Sequence, residues 1–464
     1  MREYFIGMTK GFTNQTDLKS EILLLYHHAL RFDAPTIMEH VSSFGSHSKF
    51  KVHKVNTELG FLECLRTMKF QIIVLHYSLF GMWPCMLNEE FLIYLDTCES
   101  SYKVAFFQDE YHFCRERFSF INRYKIDCIY TLLEPIYFKD VYQKWTSAKK
   151  LIHVPITGYV SKKMISLAER ITKPYGKRKN DIGYRARKLP YYMGKGAQEK
   201  SQIALGFQEH ANKAGLKLDI ETDESKRIYG KKWYKFIANC RAVLGAESGV
   251  TIFDIDGTVY SGCKRMIELK PNISFDEVWK EFLYKWEGNI PNRVFSPRHF
   301  EAAAFRTCQI LFEGRYAGLM EPMIHYFPLK KDFSNFDEII RLFRDKKRCK
   351  EITDNAYMDL IASGRYSYKR FIKDFDEELF REGIKPESSN NGICQLEVIL
   401  RRNKIICFRK TISKKICNKW KSYTAKMNTL LRALFFRSIL IKIVKKLLGE
   451  KNWKLLKSFL NCLL

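Results

Sequence analysis

Over the first half of the chain, to about residue 150, apolar positions come in short, near-continuous runs. These lie at Glu21–Tyr26, Lys49–Val55, Phe70–His76, Lys103–Phe107 and Asp127–Thr131. Runs of that length without strict alternation are expected of parallel strands covered on both faces. Helix-like segments separate them: Asp33–Phe44, Glu58–Met68, Asn88–Cys98, Tyr111–Tyr124 and Pro135–Ala148. Asp33 before Ala34 and Pro35 reads as a helix cap with proline in the first turn. The alternation predicts a doubly wound, Rossmann-like domain. His27, His28 and Ala29 follow the first strand, where a dinucleotide fingerprint would place glycines. That argues against a dehydrogenase.

The basic run Lys173–Lys179 divides this half from a second α/β unit and reads as a linker surface. Its pattern gives strand Asp181–Arg185, a helix over Gly196–Ala214, strand Leu216–Ile220, helix Trp233–Cys240 and strand Arg241–Glu247. A less regular segment leads through Pro271 and helix Phe275–Trp286 to the stretch Arg298–Leu329. There a short helix carries Glu301 beside Ala302, Ala303 and Ala304, followed by strand Gln309–Glu313 and a loop from Gly314 to Gly318. The small residues let that helix lie close against a sheet or a ligand. A carboxylate at a helix start beside a strand's carboxyl end sits where open α/β sheets bind ligands, so Glu301 is a candidate acceptor for a ribose diol. The plainer reading is a first-turn partner of the helix dipole. After a final helix at Tyr366–Phe380, Gly383–Gly392 is a flexible break by composition. The expected organisation is an N-terminal domain over residues 1–172, a second domain over 173–382, a linker at 383–392 and a basic helical extension over 393–464.

Length and composition narrow this picture. A chain of 464 residues exceeds one ordinary core, and 46% hydrophobic content excludes global disorder. The thirteen cysteines form no C-x-x-C and no cluster with histidine, which argues for reduced thiols and no metal site. The first twenty residues lack the apolar run of a signal peptide, and no stretch of eighteen apolar residues occurs. Of the net charge of +28, more than half sits beyond Ile393, where 18 Lys and Arg face only Glu397 and Glu450. Such an end suits an anionic surface.

The residues Glu301-Ala302-Ala303-Ala304, the Gln309-Ile310-Leu311 strand and the Gly314 loop resemble the C-terminal domain of GT-B-fold glycosyltransferases. The resemblance continues through HYFPLKKDFSNFDEIIRLFRD and ITDNAYMDLIASGRYSYKRFIKDF. It is to the family 4, or group 1, enzymes, most of all their CgeB-like (spore-maturation-protein-like) branch, and covers roughly residues 180 to 380. Two positions depart from the pattern: Arg293 stands where the family has a Glu, and Ala304-Phe305-Arg306-Thr307-Cys308 replaces the usual Ala-Cys-Gly-Thr-Pro turn. The resemblance implies two Rossmann-like domains and a nucleotide-sugar donor as substrate, with no further cofactor and no metal. It also implies a glycan or lipid-linked acceptor, as in cell-surface polysaccharide synthesis. A leaving pyrophosphate needs cations where its charge develops. By position Arg185 matches the family's first cation, with Arg187 nearby, and Lys195 and Lys200 compete for the second role. Glu247, Ser248 and Gly249 resemble the branch's Glu-Ser-Gly, and with Glu301, Gly314 and Gly318 they make up the donor-binding set. Asp109, His112 and His76 lie at or just beyond strand ends of the first domain, within reach of sugar or acceptor.

One motif points elsewhere. TIFDIDGTV at 251–259 matches the nucleophile strand of haloacid-dehalogenase-type phosphatases, with Asp254 as nucleophile and Asp256 as acid/base around Mg²⁺. Against it, the motif follows Glu247 with almost no room for a helical crossover. A basic nucleic-acid-binding protein is the non-enzymatic alternative, but no recognisable module interleaves aromatic with basic residues, so no nucleic-acid partner is expected.

At 100° per residue, Trp453, Leu455, Leu456, Phe459, Leu460, Leu463 and Leu464 share one arc, opposite Lys454, Lys457, Ser458 and Asn461. A basic, Trp-bearing amphipathic end suits a helix lying in an anionic leaflet, which places the protein in the cytoplasm and peripherally on the membrane's inner face. The expected outcome is that the full chain sediments with anionic liposomes while a chain ending at Glu387 stays in solution. Salt should weaken the attachment without abolishing it. Indifference of both chains to liposomes would sink this expectation.

Overall fold

The computed structural model describes residues 16–28, 35–81, 83–212, 214–386 and 396–403. The cap at Asp33 and the arc at 453–464 fall outside them. Thirteen strands are present among the described residues. Those of the first half are β1 (Thr16–Tyr26), β2 (Lys51–Asn56), β3 (Met68–Leu75), β4 (Tyr102–Phe106), β5 (Cys128–Thr131) and β6 (Lys150–His153). The second half holds β7 (Asn180–Arg185), β8 (Leu218–Glu221), β9 (Cys240–Gly245), β10 (Ser248–Val250), β11 (Asn292–Val294), β12 (Cys308–Phe312) and β13 (Phe327–Leu329).

The first six strands form one parallel sheet in the order β2-β1-β3-β4-β5-β6, with Ile22 facing Val52 on one side and Ile72 on the other. Their side chains explain the order. Leu23, Leu24, Leu25, Ile72, Ile73 and Val74 are fully buried, as central strands covered by helices on both faces require. Five strands form a second parallel sheet in the order β13-β12-β9-β7-β8. β10 and β11 make a separate antiparallel ribbon. The two Rossmann-like domains of the expected α/β fold are thus both present. They belong to one compact unit that ends at Glu397.

Several elements differ from the sequence reading, each for a local reason. Glu58–Met68 is not a helix. Gly60, at φ +88°, interrupts it, leaving 3-10 turns at Thr57–Leu59 and Glu63–Thr67, and Met68 already belongs to β3. Pro135–Ala148 likewise resolves into a 3-10 turn and a π-helical turn at Lys139–Gln143. The strand β6 went unrecognised because it lies at the sheet edge with all four residues half-buried, so it shows no apolar run.

Chain order groups the helix Tyr368–Arg381 with the second domain. It packs instead on the first sheet. Phe371, Ile372, Phe375 and Leu379 join Ile22, Leu24, Val41 and Phe44 in one apolar cluster. Those four positions share one stripe of the helix, and the first sheet is the surface they cover. Asp376 fixes the register: its carboxylate accepts from Ser48 Oγ at 2.8 Å and from the Lys49 amide at 2.7 Å. Asp376→Ala removes both bonds, and the expected loss is about 1–3 kcal/mol in urea unfolding. An unchanged midpoint would mean the crossover helix is held by its apolar face alone.

Candidate active site

The carboxyl ends of the two sheets face one cavity of about 350 Å³. From the first domain, Gln108 and Asp109 follow β4, Leu132 follows β5, and Thr157 lies beyond β6. From the second, Tyr184, Ala186 and Arg187 come from the end of β7, and Gly245 and Ala246 from the end of β9. The strand order reverses direction at β7, which has β8 on one side and β9 on the other. Such a switch point opens a crevice between crossover connections running to opposite faces. Backbone hydrogen bonds from Asp254 to Tyr111 O (2.8 Å) and from Phe295 to Pro155 O (2.9 Å) hold the walls together.

The lining is electrostatically lopsided. Arg187, Lys200, Arg227 and Arg298 border the cavity from the second domain, and among the described lining residues Asp109 is the one acid. Burial pushes the Lys200 ammonium down to about 8, and Arg298, Arg293 and Arg187 reinforce the shift by repulsion while Asp109 opposes it. Asp109 itself opens onto the cavity, yet protein crowds it at longer range, so its carboxyl is raised by burial against the pull of Lys200, Arg117 and Arg187.

The residues singled out from the sequence divide into two groups. Asp109, Arg187, Lys200, Ser248 and Gly249 border the cavity. Gly249 is required there: it holds φ +94°, and an added Cβ would lie 1.9 Å from Asn292 O. Arg185 points away. Its guanidinium binds Asp219 Oδ1 at 2.6 Å and lies 4.5 Å from the Phe236 ring centre. Lys195 also faces outward, its ammonium 3.4 Å from the Trp279 ring centre. The chain turns after β7, and of the four basic candidates it is Arg187, two residues past that strand, and Lys200, about one turn into the helix Lys195–Ala211, that border the cavity. His112 packs beside Tyr192 rather than in the cavity, and burial lowers it to about 4. His76 is fully buried against His40 and Ser78.

Glu247 and Glu301 are not among the lining residues. The Glu247 carboxylate accepts from the Tyr316 amide at 2.8 Å and faces Arg293 Nε at 3.5 Å. Gly314 lets it pack there, since a Cβ at that position would lie 2.8 Å from a Glu247 oxygen, and Gly318 makes the turn at φ +71°. Glu301 accepts from Trp233 Nε1 at 2.7 Å beneath the helix Pro297–Ala304. Burial raises it to about 7, with Trp233 and Arg298 pulling the other way and Glu39 adding to the rise.

The D-x-D-G-T motif is a helix cap. Asp254 Oδ1 accepts from the amides of Gly257 (3.0 Å) and Val259 (3.2 Å), and Oδ2 from Tyr260 (2.8 Å). Asp256 caps Thr258 in the same turn. The segment follows the antiparallel ribbon rather than a strand of the parallel sheet, so Asp254 is not presented as a phosphatase nucleophile would be. Among the described residues no three His, Cys, Asp or Glu side chains gather as a metal site. Sequence reasoning missed Arg298, Arg227, Gln108, Asn292, His299 and Gln309. Of these, Arg298 opens the very stretch that drew attention to Glu301.

No family model matches the chain, and no curated protein does. The fold is similar to solved glycosyltransferase structures. TarM shares 12% identity over 67% of this chain, with a TM-score of 0.37; this chain spans about half of it, 54%. Anabaena HepE in complex with UDP and glucose shares 12% over 78% of this chain and 100% of its own, with a TM-score of 0.42. An alpha-glucosyltransferase in complex with UDP-glucose and DNA containing an abasic site shares 10% over 78% and 99%, with a TM-score of 0.43. Likeness at this level assigns nothing to individual residues.

The raised Glu301 has a consequence for stability. Its contribution is fully present below about 4.5 and is lost as pH rises through about 7, because the folded protein holds the proton longer than the unfolded chain. Glu301→Gln removes that loss. Relative to wild type, the variant should gain on the order of 3 kcal/mol between pH 4.5 and 8 in chemical unfolding. Parallel pH profiles for the two proteins would contradict a buried, proton-sharing Glu301.

Proposed function

We propose that this protein is a glycosyltransferase that moves a sugar from a nucleotide-sugar donor to a glycan or lipid-linked acceptor. The observation that carries the reading is the cavity's polarity: four cations on the second-domain wall and a single carboxylate on the first. The sequence resemblance of residues 180–380 supports it independently. When the bond from the sugar's anomeric carbon to the phosphate oxygen breaks, its electron pair leaves on the nucleoside diphosphate. Arg187, Lys200 and Arg298 are the groups that meet that charge. The new bond joins the anomeric carbon to the acceptor oxygen, whose proton needs a home. Asp109, raised by burial, stands on the opposite wall and takes it.

The nucleotide sugar is a substrate on this reading, and no further cofactor is called for. The basic segment beyond residue 393 is proposed to hold the enzyme peripherally at an anionic membrane, on the cytoplasmic side, where a lipid-linked acceptor would lie. Charge density there, 18 basic residues against two acidic, is what supports that part.

A melting-temperature screen of UDP- and GDP-sugars against phosphate esters and RNA is the first test, and the nucleotide sugars should give the shift. The same ligand should then bind less tightly as pH rises through about 8, where free Lys200 loses its proton. Lys200→Met should weaken binding roughly 10- to 100-fold at pH 7, as loss of a charged hydrogen bond does, and flatten that pH dependence. Calorimetry showing equal affinity in both proteins would remove Lys200 from the site. A shift with phosphate esters alone would overturn the transferase reading.

A further inference from the structure

We propose that Asn292 and His299 form a recognition subsite that accepts hydrogen bonds from an uncharged O–H or N–H group of the bound molecule. The inference rests on the nucleotide-sugar reading and names how one neutral part of that ligand is read. Both side chains border the cavity and both are 3% exposed. Asn292 Oδ1 and His299 Nε2 are nonetheless without a hydrogen-bond partner. Buried polar atoms of native proteins are nearly always paired, and an unpaired one beside a cavity points to a partner that arrives from the cavity.

The histidine's chemistry is fixed by its neighbour. Gln309 Nε2 donates to His299 O at 3.3 Å, which turns Gln309 Oε1 toward His299 Nδ1 at 2.8 Å. Nδ1 therefore carries the proton, and Nε2 is left as a lone-pair acceptor. Burial keeps the ring neutral, lowering it to about 4, although the Gln309 bond pulls upward. The Phe295 and Tyr316 rings, at centroid distances of 4.9 and 5.2 Å, hold it in place. Asn292 lies on β11, where its carbonyl leaves room for Gly249 alone.

Arg187, Lys200 and Arg298 can only donate, and phosphate oxygens can only satisfy donors. Two neutral acceptors beside them are redundant for a phosphate. They match a hydroxyl of the sugar or an imide or hydroxyl donor of the nucleoside. A site built on such acceptors rejects ligands that lack the donor, because its own groups then stay unpaired.

Calorimetry on the full chain separates the sources, using pyrophosphate, the best-bound nucleotide sugar from a UDP- and GDP-sugar panel, and its parent nucleoside diphosphate. His299→Phe and Asn292→Leu should each weaken the nucleotide sugar about tenfold or more and leave pyrophosphate unchanged. His299→Gln, which keeps an acceptor near the Nε2 position, should stay within about threefold of wild type. Loss already seen with the nucleoside diphosphate places the donor group on the nucleoside. Loss confined to the nucleotide sugar places it on the transferred sugar. Unchanged affinity for both ligands in folded variants overturns the subsite and leaves the transferase reading standing, as does an equal loss for pyrophosphate. Should His299→Phe not fold, Asn292→Leu on its separate strand decides in the same way. A wild-type chain that binds no nucleotide sugar overturns the transferase reading and the subsite together.

Discussion

The second domain's half of the site depends on one half-buried cation. Arg293, at the centre of β11, donates to Glu199 at 2.5 Å and approaches Glu247 at 3.5 Å, while Lys331 binds the other Glu199 oxygen at 2.7 Å. Through these contacts it ties the ribbon to the helix Lys195–Ala211 and to the loop that opens at Gly314. Gly196 must be glycine for this to happen, since an added Cβ would fall 2.1 Å from Arg293 Nη1. Removing one partner from such a cluster leaves uncompensated buried charge, which costs far more than the cluster contributes net. The ribbon so anchored carries Ser248, Gly249 and Asn292 to the cavity wall. Two carboxylates from separate elements, Glu199 and Glu247, thus face Arg293.

That arrangement also explains why the cavity's cations stay available. The helix that would offer its first amides to an anion has them occupied, Lys195 N by Glu287 at 3.1 Å and Gly196 N by Thr251 Oγ1 at 3.0 Å. Anion recognition therefore falls to side chains. Lys200 is the informative one: burial lowers its proton affinity first, and repulsion from Arg298, Arg293 and Arg187 adds to that. A bound phosphate relieves that repulsion, so binding and protonation support each other.

Both sheets were legible in the sequence, because buried parallel strands leave apolar runs that no solvent-facing element needs. The Rossmann-like repeat could be read from β1, β3 and β4 alone. The edge strand β6 could not, being half-buried throughout. Nor could the packing of Tyr368–Arg381, since an amphipathic stripe says that a helix covers something but not which sheet. At the cavity, Ser248 and Gly249 were picked out by resemblance and Asp109 by its place just beyond a strand end, and all three border it. Arg185 was carried over by its position after the first strand of the second domain, with Lys195 one of two competitors for the second cation, and position along a strand or helix is blind to side-chain direction. A shift of two residues moves the charge from Arg185, bound to Asp219, to Arg187 beside the cavity. His299 carried no signal in sequence: its meaning depends on Gln309 ten residues away and on an atom left without a partner.

The central proposal is that the cavity between the two sheets holds a nucleotide sugar. Hydrogen–deuterium exchange on the full chain, with and without UDP- or GDP-sugar, addresses it directly. The account predicts slowed exchange on both walls at once, around residues 107–111 of the first domain and around 186–200 and 245–250 of the second. No protection with any nucleotide sugar, or protection confined to the helix cap around 254–260, would contradict it.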